Sequence, residues 1–319
     1  MSRYTRQLLL ADVGAEGQRC LSQSQILVVG AGGLAAPVLA YLAGAGVGHI
    51  RVVDGDRISE SNLHRQVLFD TDQIGQFKVL AAAARCRALN PDIEVDAHPC
   101  WFGPSQGREW VERADLVLDC ADNYAVSYAL SDLCRDTNTA LISGSVVGDQ
   151  GYMGGFCDSA PSLRALFPSL PESGANCETA GVFGPLVGLV GALQAQMALQ
   201  HLLGIGKPLG QILKVDGRSL ITRSFRFDSA KEPEHQFAFI DSEQIKDEDQ
   251  VIELRDEEEK PELMTPTTRR IEMEHLANWS PENGRRLVLC CRTGLRSWRA
   301  ATQIKPRWNG DIVLLADPI

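Results

Sequence analysis

The chain has 319 residues, 44% of them hydrophobic, with 31 Lys and Arg against 41 Asp and Glu and a formal net charge of −10. At about 150 residues per domain this is one large or two modest domains, with enough apolar content for a packed core. The acidic balance and the lack of any Lys/Arg cluster speak against nucleic-acid or polybasic membrane binding, because neutralising phosphates needs clustered cations. The first apolar run, Leu8-Leu-Leu-Ala11, is too short for a signal peptide, so a cytoplasmic location is expected. Nine scattered cysteines, with Cys290-Cys291 the only tight pair, then read as free thiols and not as a disulfide framework.

In chain order, the uncharged stretch Ile26 to Gly48 is long enough to span a bilayer, but its glycines and Pro37 divide it into a strand, Ile26–Val29, and a small-residue helix at about 34–45. Strands follow at His49–Val53, Ile93–Ala97, Leu116–Cys120 and Ala140–Ser143, with helices at about 78–89, 105–113 and 125–137. This alternation predicts a Rossmann-like α/β fold, a mostly parallel sheet with flanking helices. From Asp158 to Gly181 runs a Pro-, Ser- and Gly-rich loop without periodicity, a length usually kept for function. Val182 to Leu203 is again uncharged, yet carries Gln194, Gln196, Gln200 and His201, which predicts a buried helix and no membrane span. After Phe227 the composition turns polar and acidic, which places a first domain at 1–228, a linker at 229–247 and a small second α/β domain at 248–319. About 70 residues is near the lower limit for an independent core, so the second domain is expected to lean on the first.

The strand Ile26–Val29 ends in Gly30-Ala-Gly32-Gly33-Leu-Ala35 and enters a helix. Glycines there let backbone N–H groups approach a phosphate, and the helix N-terminus favours the negative charge. Asp54, 22 residues beyond Gly32, ends the next strand, where a carboxylate accepts from ribose hydroxyls. These features predict a nucleotide site without naming the nucleotide. Next come Ser61-Asn62-Leu63-His64-Arg65-Gln66 and Gly75-Gln-Phe-Lys78, whose Arg65 and Lys78 suit charge building on phosphoryl oxygens better than a nicotinamide site. Asp122 and Asn123 follow the strand Leu116–Cys120 at the carboxyl edge of the sheet, and a single Asp there suits Mg²⁺ held together with phosphate oxygens.

With these pieces in order, the chain resembles the ThiF/MoeB/HesA family, bacterial relatives of ubiquitin-activating enzymes, from Arg3-Tyr-Thr-Arg-Gln7 to about Arg226. The resemblance rests on Gly30-x-Gly-Gly-Leu, Val53-Asp-Gly-Asp56, Ser61-Asn-Leu-His-Arg-Gln66, Gly75-Gln-x-Lys78, Asn90-Pro91, Asp119-Cys-x-Asp-Asn123, Ser143-Gly144, Cys177-Glu-Thr-Ala-Gly181 and Gly204-x-Gly-Lys-Pro208. It implies ATP- and Mg²⁺-dependent adenylation of the C-terminal glycine of a ubiquitin-like sulfur carrier ending in Gly-Gly. It further implies phosphates on Gly30, Gly32 and Gly33, ribose on Asp54, and triphosphate on Ser61, Asn62, Arg65 and Lys78, with Asp122 on the metal and Asn123 beside it. Arg6 is then expected to reach the ATP of the other subunit of a homodimer. Family members with structural zinc use two Cys-x-x-Cys pairs; here Ser162 and Ala165 occupy the first pair's positions and Glu232 to Gln236 contains no cysteine, so no zinc is expected.

Two thiols carry possible chemistry. Cys177 precedes the helix near Val182, where a thiolate is favoured, and in the ThiF branch the corresponding cysteine becomes joined to the carrier. Cys291 opens Cys291-Arg292-Thr-Gly294-Leu-Arg296, which resembles the active loop of a rhodanese-like domain, and Ile252-Glu253-Leu-Arg255 resembles that domain's opening strand. Backbone N–H groups and two arginines around Cys291 would favour a persulfide. The reading that results is an adenylyltransferase with sulfurtransferase activity, served by a sulfur donor such as a cysteine desulfurase. The alternatives are a dinucleotide-dependent oxidoreductase and a non-catalytic carrier-binding scaffold.

Overall fold

The computed structural model describes residues 3–171, 181–234 and 236–317. Strands β1 (Gln25–Val29), β2 (His49–Val53), β3 (Glu94–His98), β4 (Leu116–Asp119), β5 (Ala140–Val147), β6 (Gln150–Phe156), β7 (Gln211–Asp216) and β8 (Ile221–Arg226) form one sheet in the order β3-β2-β1-β4-β5-β6-β7-β8. The first five strands in sequence pair in parallel, and β6, β7 and β8 extend the sheet antiparallel. Strand periodicity divides the apolar residues between two faces. Ile26 and Val28 pack under helices α2 (Ala35–Ala45) and α3 (Lys78–Leu89), while Leu27 and Val29 pack with α4 (Pro104–Glu112) and α5 (Tyr124–Thr137). Helix α1 (Gly14–Gln23) precedes this set.

Strands β1 to β5 and helices α2 to α5 lie within a residue of their predicted bounds, except β5, which continues to Val147 because its second half gains an antiparallel partner in β6. Helix α6 (Leu163–Leu166) is a single turn within the expected loop, and α7 (Gly184–Leu202) is the expected uncharged helix. Strand β6 carries glycines at 151, 154 and 155, which weaken its strand signal; an added Cβ on Gly155 would lie 2.4 Å from the Pro208 carbonyl oxygen. Among the described residues no helix is long and apolar enough to cross a membrane.

A second sheet contains β9 (Ala238–Ile240), β10 (Gln250–Glu253), β11 (Arg269–Arg270), β12 (Leu287–Cys291) and β13 (Ile312–Ala316), all parallel in the order β11-β10-β12-β13-β9. Its first strand falls inside the stretch 229–247 expected as linker, because the apolar run Ala238-Phe-Ile240 pairs with β13 and closes an otherwise open edge. Helix α8 (Leu295–Ile304) covers one face. That face belongs to the same apolar cluster as α4, α5 and the underside of the first sheet, so the two sheets share one core. Tyr128 of α5 meets Trp298 of α8 edge-on at 5.8 Å, and Phe237 meets Trp298 at 5.4 Å.

Candidate active site

Strand β1 lies between β2 and β4, so the connections leave it in opposite directions and a crevice opens at its carboxyl end. Gly30 turns there with φ +95°, and a Cβ would lie 2.6 Å from the Cys120 carbonyl oxygen, so only glycine fits. Asp54 directly follows β2 and ties the loops together, accepting from the backbone N–H groups of Ala31 and Asp56 at 2.7 Å each. Burial raises its pKa, while Lys78 and the two N–H donors oppose the rise. The Lys78 ammonium, on a buried side chain, donates to Asp56 at 2.8 Å. Arg65 donates to the Ser61 carbonyl at 3.1 Å and lies 2.8 Å from His64 Nε2.

Beyond β4, the fully buried Asp119 accepts from Ser143 Oγ at 2.7 Å and from the Ala121 N–H at 3.1 Å. Burial outweighs these donors and pushes its carboxyl up to about 6. Asn123 Oδ1 caps α5, accepting from the Ala125 and Val126 N–H groups at 2.8 and 3.3 Å, so only its amide hydrogens remain to offer a ligand. Gln194 reaches across from α7 to donate to the Asp119 carbonyl at 2.9 Å.

A cavity of about 760 Å³ occupies the crevice and brings together Gly30, Gly32, Gly33, Asp54, Asn62, Arg65, Lys78, Asp122 and Asn123. A neighbouring cavity of about 320 Å³ shares Asp122 and Asn123 and runs past Tyr128, Tyr152 and Phe167. Ser61 is not part of either wall; its carbonyl holds Arg65 from behind. Arg6 lies exposed outside both cavities. Cys177 lies outside the described residues. Sequence reasoning passed over Asp56 and Asp119, although both stand inside motifs it had singled out. It also missed the contribution of the second sheet, whose Asp241, Arg292, Thr293 and Asp317 line the larger cavity.

Cys290 and Cys291 end β12 on opposite faces, the first in a small apolar cluster and the second in the shared core. Burial pushes the Cys290 thiol well up. Cys291 Sγ accepts from the Gly294 N–H at 3.2 Å and the Ser297 N–H at 3.4 Å, and meets Ser297 Oγ at 3.1 Å. Gly294 turns with φ +85° against Phe239 and Ala125, seating this loop on the first turn of α5. The thiol is only 1% exposed. Near Cys290, Arg255 clamps the fully buried Glu253 at 2.8 and 2.9 Å and bonds Asp317 at 2.8 Å. Desolvation opposes the Arg255 charge, but these partners outweigh it and raise its pKa. Arg296 is paired with Glu259, donating from Nη1 at 2.7 Å.

Where the family resemblance would place paired cysteines, the Ser162 backbone N–H and Oγ donate to Glu232 at 2.8 and 2.6 Å. Next to it, the buried Arg164 forks onto Asp132 at 2.6 and 2.8 Å and lies over the Tyr128 ring at 4.7 Å. These bonds tie the segment before α6 to α5 and to the approach to β9.

Comparison with known proteins matches residues 4–237 to the model of the ThiF family. The chain belongs to the ThiF family. The match ends one residue before β9, so the second sheet lies outside it. A sulfur carrier protein adenylyltransferase of Thermus thermophilus is 43% identical over 235 residues, covering 71% of this chain and 86% of the relative. The sulfur carrier protein ThiS adenylyltransferase of Escherichia coli is 42% identical over 226 residues, covering 70% and 89%. The adenylyltransferase and sulfurtransferase MOCS3-2 of Zea mays is 43% identical over 221 residues, covering 68% of this chain and 46% of that protein. This ThiF-family fold also resembles Escherichia coli MccB crystallised with ATP, with a TM-score of 0.63 and 22% identity, covering 71% of this chain and 72% of MccB.

Proposed function

We propose that the protein is an ATP-dependent adenylyltransferase acting on the C-terminal glycine of a ubiquitin-like sulfur carrier ending in Gly-Gly. The relatives named as sulfur carrier adenylyltransferases support this reading. The observation that carries it is the single cavity lined by the glycine loop, Asp54, Asn62, Arg65, Lys78 and Asp122. The glycine loop takes the phosphates, and Asp54 takes the ribose through the oxygen lone pairs left by its backbone bonds. The carrier carboxylate, threaded along the aromatic smaller cavity, attacks the α-phosphorus in line; a new O–P bond forms and pyrophosphate leaves. Arg65 and Lys78 neutralise the departing charge, so catalysis is chiefly positioning and electrostatics. The residues suit Mg²⁺: Asp122 lines the cavity, and one carboxylate with phosphate oxygens is a normal Mg²⁺ environment. When bound there, the ion supplies charge neutralisation on the phosphates.

The same reading divides the chain into an adenylation unit over 1–228 and a rhodanese-like unit beginning with β9, joined by what remains of the linker. With the turn over Cys291 open, its thiol would receive sulfane sulfur from a donor such as a cysteine desulfurase, and the N–H groups around Sγ would stabilise the persulfide anion. Its terminal sulfur would attack the carrier acyl-adenylate and expel AMP, and a second thiolate would then attack Cys291 Sγ, releasing the carrier thiocarboxylate and leaving a disulfide at Cys291. Cys177 belongs to the same proposal as a candidate covalent site. A homodimer, with Arg6 serving the partner's ATP, is supported by the exposed apolar side chains of Leu9, Leu10, Val67 and Phe183. A cytoplasmic location and the absence of zinc complete the reading.

The test is carrier-dependent exchange of labelled pyrophosphate into ATP, with several Gly-Gly-ended carriers and the variant Arg65→Ala. Exchange with one carrier, lost in the variant, is expected. ATP binding without exchange for any carrier would replace this reading with the scaffold.

A further inference from the structure

The two sheets face each other by their carboxyl ends. Gly30, Asp54 and Ala121 stand at the ends of β1, β2 and β4 on one side of the larger cavity, and Arg292 and Asp317 stand past β12 and β13 on the other. The second unit therefore forms a wall of the nucleotide cavity. Contacts fasten it there: the Ser105 N–H and Oγ donate to Asp241 at 2.7 and 2.8 Å, and Gly294 packs on Ala125.

The charges of this cavity are unequal. Asp54, Asp56, Asp122, Asp241, Glu243 and Asp317 line it, against only Arg65, Lys78 and Arg292. Lys78 is paired with Asp56, and Arg65 is held by the Ser61 carbonyl and His64. Arg292 is exposed to the cavity and, among the described residues, makes no hydrogen bond or ion pair, unlike its neighbour Arg296, which is paired with Glu259. Mg²⁺ at Asp122 and the partner's Arg6 would offset part of this excess, and a free guanidinium fork already in the wall matches phosphate oxygens in geometry as well as charge.

We propose that Arg292, supplied by the loop of Cys291 and not by the ThiF-family unit, is a phosphate-binding residue of the ATP site. The inference rests on the adenylation reading. It adds that the nucleotide site is incomplete without the second unit, and that one peptide bond links the sulfur-bearing residue to a phosphate ligand.

The test uses the full chain and MgATP, titrated by calorimetry at two salt concentrations, for the wild type, Arg292→Ala, Arg292→Lys and Arg299→Ala. Arg299 is exposed on α8 away from the cavity and controls for net charge. Arg292→Ala is expected to raise the ATP Kd roughly tenfold or more and to lessen its salt dependence, with Arg292→Lys in between and Arg299→Ala unchanged. Equal affinity of the wild type and Arg292→Ala, with both folded by circular dichroism, would overturn the inference and leave the adenylation reading standing. A wild type that fails to bind ATP would overturn both. Equal weakening by Arg292→Ala and Arg299→Ala would reduce the effect to net charge and also overturn the inference.

Discussion

At the residue scale two carboxylates act through their neighbours, Asp56 on Lys78 and Asp119 on the turn after β4. Asp56 holds the Lys78 ammonium, so Lys78→Ala removes a cation from the phosphates and leaves Asp56 uncompensated beside them. Pyrophosphate exchange in Lys78→Ala is expected to fall about a hundredfold or more, measured at saturating carrier. Asp119 acts through the turn it braces. Its carboxyl, pushed by burial from an ordinary 3.8 up to about 6, keeps its proton longer in the native state, so its contribution to stability declines as pH rises from about 4 to 6. The shift corresponds to about 3 kcal/mol of pH dependence, at about 1.4 kcal/mol per unit. Denaturant titrations from pH 4 to 7 are expected to show this loss in the wild type relative to Asp119→Asn, the difference between the two curves flattening above about pH 7.

At the element scale, two turns set the chemistry. Gly30 passes under the Cys120 carbonyl with a positive φ, so Gly30→Ala meets both strain and a clash and is expected to lower unfolding free energy by at least about 2 kcal/mol. The loop after β12 closes over Cys291 so fully that thiol reagents have no direct path. Site-resolved labelling by mass spectrometry should find Cys291 much slower to react than the exposed Cys20 in native protein, with the gap abolished in denaturant. Fast native labelling of Cys291 would mean that the Arg292 to Gly294 turn opens readily.

At the scale of the whole molecule, the second sheet is built into the first unit's core. Trp298 touches Tyr128, Phe237 and Arg164, so truncating it removes contacts on both sides of the junction. Trp298→Ala is expected to cost about 3 to 4 kcal/mol and to lower a single calorimetric transition instead of splitting it in two. Two separate transitions in the wild type would contradict a shared core.

Much of this was legible locally. Hydrophobic periodicity located β1 to β5 and helices α2 to α5, because an element's period is written in the residues that form it. The glycine turn, Asp54, Lys78 and Asp122 could be singled out because their chemistry follows from residue type and from position after a strand. Three things required the tertiary structure. Glycine-rich β6 is a strand only because β5 and β7 pair with it, and Ala238–Ile240 leaves the expected linker only because β13 offers an edge. Asp119 became a buried carboxylate only through the packing of Ser143 and Gln194 around it. Arg292 read as a neighbour of a thiol, and nothing within 10 residues of it signals a nucleotide. The sequence by itself determined which side chains have the chemistry for phosphate and sulfur. Which of them share a cavity was decided by long-range packing of α5 against β9 and α8, since contacts between residues 125 and 294 leave no periodic trace in the chain.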